Sequence, residues 1–326
     1  MKKFLLILVV SFWCGEFAYS QNNYDSYHSF IRQSSRMNSD SVIIYLEKAI
    51  KENEPFSEDL KFLSYQYFKK GNYKEAKKAF YEAIRYGYQF ESDQTHQGGF
   101  TIEYDLSFIN IVDKSNYGVF LNDLYKKKQK KMRRLRNNYL KEVNKNDNDI
   151  FENILQNEKY FQELRFLFFD NKVKDSLGLN YIAKYGATPN SYYMLELLKK
   201  GIFPKRRKCA RFNGQTITML LNHAIACFLN KEDALEFVGL LWPLVEKGEL
   251  TPNEYASAYD HYVHHFIDEN KGMFGTMGII DDQGNFILED LLFPSEVNNI
   301  RKKYWSSSIE EFCRERNWKL PKNYGR

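Results

Sequence analysis

Residues 57–88 carry two helical apolar periods around one tight turn, a pattern that commits this stretch to a pair of antiparallel helices. Leu63 and Tyr67 on the first helix, with Tyr73 and Phe80 on the second, supply the large side chains of the seam. Small residues at Ser64, Ala76 and Ala83 let the two backbones approach closely, and the spacing puts Ala76, Phe80 and Ala83 on one face. Asn72, three residues before Glu75, predicts the cap that starts the second helix.

This unit resembles a tetratricopeptide repeat, a helix-turn-helix module of ~34 residues. A shift by that period places Ala49 under Ala83 and Leu46 under Phe80, so residues 41–50 read as the second helix of a preceding unit. Tyr88 stands where the family carries Pro. The resemblance implies stacked hairpins presenting a concave surface to a protein or peptide, with Tyr65, Tyr67 and Tyr73 as candidate groove residues.

Gly98-Gly99 ends the repeat pattern, and residues 105–145 return to a helical period. Within them, Lys126 to Arg136 holds eight basic residues in eleven. No aromatic side chains are interleaved for base stacking, so the run reads as a solvated helix face and not as a nucleic-acid site. Contact with an anionic envelope surface is the other reading. The polar run 144–149 marks a domain boundary, dividing residues 21–145 from 146–326. Beyond it, Asn230 and Thr251-Pro252-Asn253-Glu254 predict helix starts. Residues 277–280 and 286–288, around an Asp, Gly and Asn turn, predict one short β-hairpin. The fold expected is mostly α: helical hairpin repeats followed by a helical domain with that hairpin.

The N-terminus has the three parts of a signal peptide: Lys2 and Lys3, an apolar run from Phe4 to Trp13, and Ala18-Tyr19-Ser20 before a cleavage site at Gln21. The apolar run is too short to span a bilayer, which takes ~20 residues. Trp13 is too bulky to precede an acylated Cys14. The expected product is exported, to the periplasm or beyond, and is not an integral membrane protein. Cleavage moves the formal charge from +5 to +4, a balance that selects no partner. Cys209, Cys227 and Cys313 remain, with no CxxC spacing; one bridge, closest in sequence between Cys209 and Cys227, and three buried thiols are both open readings.

Residues 150–321 resemble an uncharacterised bacterial family known as domain of unknown function 6624. The resembling segments are Phe161-Gln162-Glu163-Leu164-Arg165, residues 179–186, Leu221-Asn222-His223-Ala224, Gly248-Glu249-Leu250, Tyr259-Asp260-His261, Phe274-Gly275-Thr276-Met277, and Phe293-Pro294 ahead of Arg301. Phe161, Gly186-Ala187-Thr188, His261 and Met277 depart from the family's usual residues. The resemblance implies an architecture and no chemistry.

No P-loop, dinucleotide fingerprint, nucleophile elbow or zinc-protease motif occurs, and no cofactor is called for. Gly272, Gly275 and Gly278 read as turn glycines. The polar cluster to weigh is His223 with Asp260, His261 and His265. If residues 252–268 are helical, His261 and His265 lie one turn apart, a spacing that suits a shared metal, while Asp260 and His223 suit an orienter and a base. The alternative is a buried structural role. The sequence therefore predicts an exported, non-enzymatic protein- or peptide-interaction module. A cell-envelope hydrolase or metal-binding enzyme using His223, Asp260 and His261 is the rival.

Overall fold

The computed structural model describes residues 24–34, 39–88, 114–142, 150–151, 153–154, 156–157, 187–203, 214–280 and 283–325. The signal peptide, Cys14, Gly98-Gly99, the boundary at 144–149, Phe161 to Arg165, residues 179–186 and Cys209 lie outside these. The described chain is mostly helical, and no described helix is long and apolar enough to cross a membrane.

Two helical hairpins open the fold: α1 (Asp25–Ser34) with α2 (Ser39–Glu52), then α3 (Ser57–Lys69) with α4 (Tyr73–Arg85). Ala49, Ala76 and Ala83 are wholly buried, and Leu46 and Phe80 nearly so. The small residues thus sit where backbones meet, and the positions aligned by the repeat period share one degree of burial. The Asn72 side chain accepts from the Glu75 N–H, as the cap requires. The long helix α5 (Lys114–Glu142) packs against α4, with a break in helical geometry at Lys128. A buried relay ties three helices together. The Tyr117 hydroxyl donates to Ser64 Oγ at 2.8 Å, and Ser64 Oγ donates to the Ala76 carbonyl at 2.8 Å.

The C-terminal part holds α6 (Thr188–Lys199), α7 (Gly214–Ala226), α8 (Lys231–Glu246) and α9 (Pro252–Phe266) around one large apolar core. Asn230 caps α8, and Thr251 and Glu254 form the reciprocal capping box of α9. After α9 come β1 (Lys271–Gly272), β2 (Gly278–Ile280), β3 (Phe286–Leu288) and β4 (Asp290–Leu291), then α10 (Val297–Lys303) and α11 (Ile309–Arg316). β2 and β3 form the expected antiparallel hairpin; the structure adds a two-residue parallel pairing of β1 with β4. Of the three glycines read as turn residues, Gly275 adopts a left-handed φ of 67°, whereas Gly272 and Gly278 lie in strands. Cys313 is a buried free thiol.

The first hairpin touches the C-terminal part through aromatic rings. Tyr24 covers Gly248, where a Cβ would lie 2.2 Å from the ring, so only glycine fits. His28 stacks on Trp305 with centroids 5.0 Å apart, and Arg32 donates to the Lys302 carbonyl at 3.4 Å. Trp305 holds φ at 56°, a left-handed conformation rare for a bulky side chain, and its indole also packs on Trp242 at 5.1 Å.

Candidate functional site

Helix α9 buries Tyr255, Ala256, Ala258, Tyr262 and Val263, and Asp260 falls on that buried side with no solvent exposure. Its Oδ1 accepts the N–H groups of Met273 and Phe274, each at 2.7 Å. Its Oδ2 accepts the Thr276 N–H at 2.6 Å and the Thr276 hydroxyl at 2.7 Å. Burial pushes the carboxyl above the usual carboxylate range, and these four donors oppose the shift. A carboxylate has about four lone-pair directions. All are engaged here, so Asp260 anchors the loop after β1 and is not poised to orient a base. Gly272 belongs to the same contact, since a Cβ there would come within 3.1 Å of the carboxylate.

Arg301 completes the arrangement from α10. It is 1 % exposed, donates from Nε to the Ser307 carbonyl and from Nη1 to the Phe274 carbonyl, and lies 4.8 Å from the Phe312 ring. Its Nη2 is buried without a hydrogen-bond partner. Burial brings its pKa down to about 10, opposed by the charge of Asp260. Asp260 of α9, Phe274 and Thr276 of the loop after β1, and Arg301 of α10 therefore meet at one point.

The histidines lie along the other side of α9. The rings of His261 and His265 stack at 6.0 Å, and His264 meets His265 edge-on at 5.1 Å. His261 drops to about pKa 4, first through burial and then through the fields of His265, His264 and His223. His223, half-buried on α7, is thus a neighbour of His261, while the Asp260 carboxylate is turned to the loop. The structure brings together two of the three residues expected to share a site. Asp260 and His261 are adjacent in sequence, and a helix directs adjacent side chains about 100° apart. His264 adds a contact the sequence reading missed: its Nδ1 lies 3.5 Å from Glu289 Oε2, on a side chain whose pKa burial raises. Among the described residues, no group of three or more His, Cys, Asp or Glu side chains is set to hold a metal ion, so His261 and His265 stand as a stacked pair.

No family model, curated protein or solved structure matches the chain.

The tyrosines expected to line one groove turn to three different neighbours. Tyr65 packs on Tyr117 of α5 at 5.3 Å, and the Tyr67 hydroxyl donates to Glu47 of α2. Tyr73 packs on Phe68 at 5.6 Å and on Phe120 at 5.9 Å, and stays 52 % exposed. Residues two apart on a helix do not face the same way, so Tyr65 and Tyr67 cannot share a surface. The large apolar side chains exposed on α2 to α5 are Ile44, Phe62, Tyr73 and Val119, the last at 58 %.

Proposed function

We propose that this chain is an exported protein- or peptide-interaction module of the cell envelope, and that it acts without catalysis. The observation that supports this most is the uneven use of polar and apolar groups. The one carboxylate weighed for chemistry is fully engaged in holding a loop, while helices α3, α4 and α5 leave Phe62, Tyr73 and Val119 open to solvent. Exposed aromatic and branched side chains on rigid stacked helices are what a partner's apolar anchors pack against. The N-terminal reading as a signal peptide supplies the compartment. The tetratricopeptide resemblance supports the mode of recognition, with Tyr73 retained from the expected groove and Tyr65 and Tyr67 reassigned to packing.

The test is capture from envelope extract with the immobilised chain from Gln21 onward. Tyr73→Ala and Val119→Ser should reduce the recovery of a specific partner while leaving the unfolding midpoint unchanged. Recovery that is indifferent to both substitutions would remove the helical surface from the reading.

The enzymatic reading draws on the His264–Glu289 contact, since a carboxylate beside Nδ1 is how a neutral imidazole is oriented as a base. Hydrolysis of an envelope-derived ester or peptide that is lost in both His264→Gln and Glu289→Gln would favour it over the binding role.

A further inference from the structure

We infer that the outward face of α5 is an electrostatic docking surface for an anionic lipid bilayer. This rests on the export reading and is independent of the apolar partner surface.

The chain's charge is concentrated on this helix. Taking the eight cations of Lys126 to Arg136 from the net +5 leaves the rest of the chain at −3. From Leu124 to Lys141 no acidic residue occurs; Asp123 and Glu142 bracket the run on the same helix, so its interior, around Lys130 and Arg134, is the part no helical neighbour neutralises. Met132, Leu135 and Tyr139 are buried and define the inner side of its second half. At 100° per residue, Lys130, Arg134 and Lys141 project opposite that side, and all three are exposed.

The cations at the flanks behave differently. The Lys131 ammonium sits 3.8 Å from the centre of the Tyr81 ring, and Arg136 donates to the Gly87 carbonyl at 2.9 Å. Arg136 is half-buried and Lys131, though exposed, lies over a ring, while Lys126, Lys127, Lys130, Arg134 and Lys141 are exposed. At a rise of ~1.5 Å per residue, residues 130 to 141, beyond the break at Lys128, carry this charge over roughly 16 Å.

The same geometry decides what kind of membrane contact this is. Met132, Leu135 and Tyr139 are already in the core, so among the described residues the cationic face from Lys126 to Lys141 offers no apolar side chain to insert between acyl chains. Binding is confined to headgroups, reversible and sensitive to salt. The outward face also offers no aromatic ring for base stacking, which disfavours single-stranded nucleic acid as the polyanion.

The experiment is vesicle co-sedimentation of the purified chain from Gln21 onward, with phosphatidylcholine vesicles and with phosphatidylcholine–phosphatidylglycerol vesicles. The expected result is pelleting with the anionic vesicles alone, lost as ionic strength rises from about 0.01 M to about 1 M. Neutralising Lys126, Lys127, Lys130 and Arg134 to Gln should weaken partitioning by roughly fivefold per cation. A control with the three lysines changed to Arg should bind as the parent does, which separates charge from loss of fold. Partner capture through Tyr73 should survive the Gln substitutions, so failure of one surface is distinguishable from failure of the other. Equal pelleting with neutral vesicles, no pelleting at low salt, or binding indifferent to the Gln substitutions would each overturn the inference. Retention of homopolymeric RNA or an acidic peptide in place of vesicles would overturn it equally.

Discussion

Asp260 and Arg301 grip the two polar groups of a single residue, Phe274. The carboxylate accepts its N–H at 2.7 Å, and the guanidinium donates to its carbonyl. Both charged groups are almost entirely removed from water. Removing ions from water is expensive, and the expense is met here by hydrogen bonds from a loop folded between them. The loop after β1 is thereby fixed to α9 on one side and to α10 on the other.

Breaking that arrangement from one side should be severe. Arg301→Met leaves the Asp260 charge buried without its counter-charge, and a loss of about 3–5 kcal/mol is expected in urea unfolding. Asp260→Asn combined with Arg301→Met should cost less than the sum of the single changes, because each single change strands the other charge. Additive losses would show that the two groups are not coupled through Phe274.

The helical seam makes a second expectation. Ala83 is wholly buried between α4 and its neighbours, so Ala83→Leu should overpack the seam and cost roughly 1–3 kcal/mol. Ser64→Ala removes the acceptor of the buried Tyr117 hydroxyl and the donor to Ala76, for a loss of about 1–3 kcal/mol. Unchanged unfolding midpoints for both would mean that α3, α4 and α5 do not pack as described.

Local features were legible in the sequence because their physics is local. Asn72, Asn230 and Thr251 cap helices through donors three residues away, and the hairpin of β2 and β3 follows from a turn between two apolar runs. The site was less legible because its contacts are distant. Asp260 finds its donors 13 to 16 residues on, and Arg301 meets the carbonyl of Phe274 27 residues back. A lone arginine on a short helix carries no sign that it will be buried. Glu289 likewise gave no signal of its contact with His264, since it follows a strand and belongs to no motif. The three tyrosines were grouped by residue type, and helical angle directs Tyr65 to α5 and Tyr67 to α2.

The histidine neighbourhood can be tested without assuming an activity. His223 helps hold His261 at about pKa 4, after burial and the fields of His265 and His264. Replacing His223 by Ala should therefore move the His261 titration upward, as followed by NMR. The shift should be smaller than the rise produced by His265→Ala, because His265 acts more strongly. An unmoved His261 resonance in the His223 variant would place the two rings out of range of each other.

His28 sets the last expectation, a dependence of stability on pH that originates where the first hairpin meets the C-terminal part. Its ring is enclosed by Tyr24, Tyr27, Phe56 and Trp305, its Nε2 is buried without a hydrogen-bond partner, and burial lowers its pKa to about 3. The charged groups around it do not favour protonation: Arg32 lies one turn along α1 and donates to Lys302 of α10, and Asp59 of α3 is engaged by the Tyr27 hydroxyl. Because the folded pKa lies below the unfolded value of 6.5, the unfolded chain binds more protons between those limits. Stability should therefore be full above about pH 6.5 and fall as pH drops toward 3, by up to about 1.4 kcal/mol per unit. At pH 5 the contribution of His28 amounts to about 2 kcal/mol, and His261, lowered for similar reasons, acts in the same direction. His28→Phe keeps a ring against Trp305 and removes the titrating group, so urea unfolding of this variant should show a distinctly shallower loss between pH 7.5 and pH 5, about half the parent's if His28 and His261 contribute comparably. A parent and a variant with the same slope would assign the acid sensitivity to the α9 histidines and remove His28 from it.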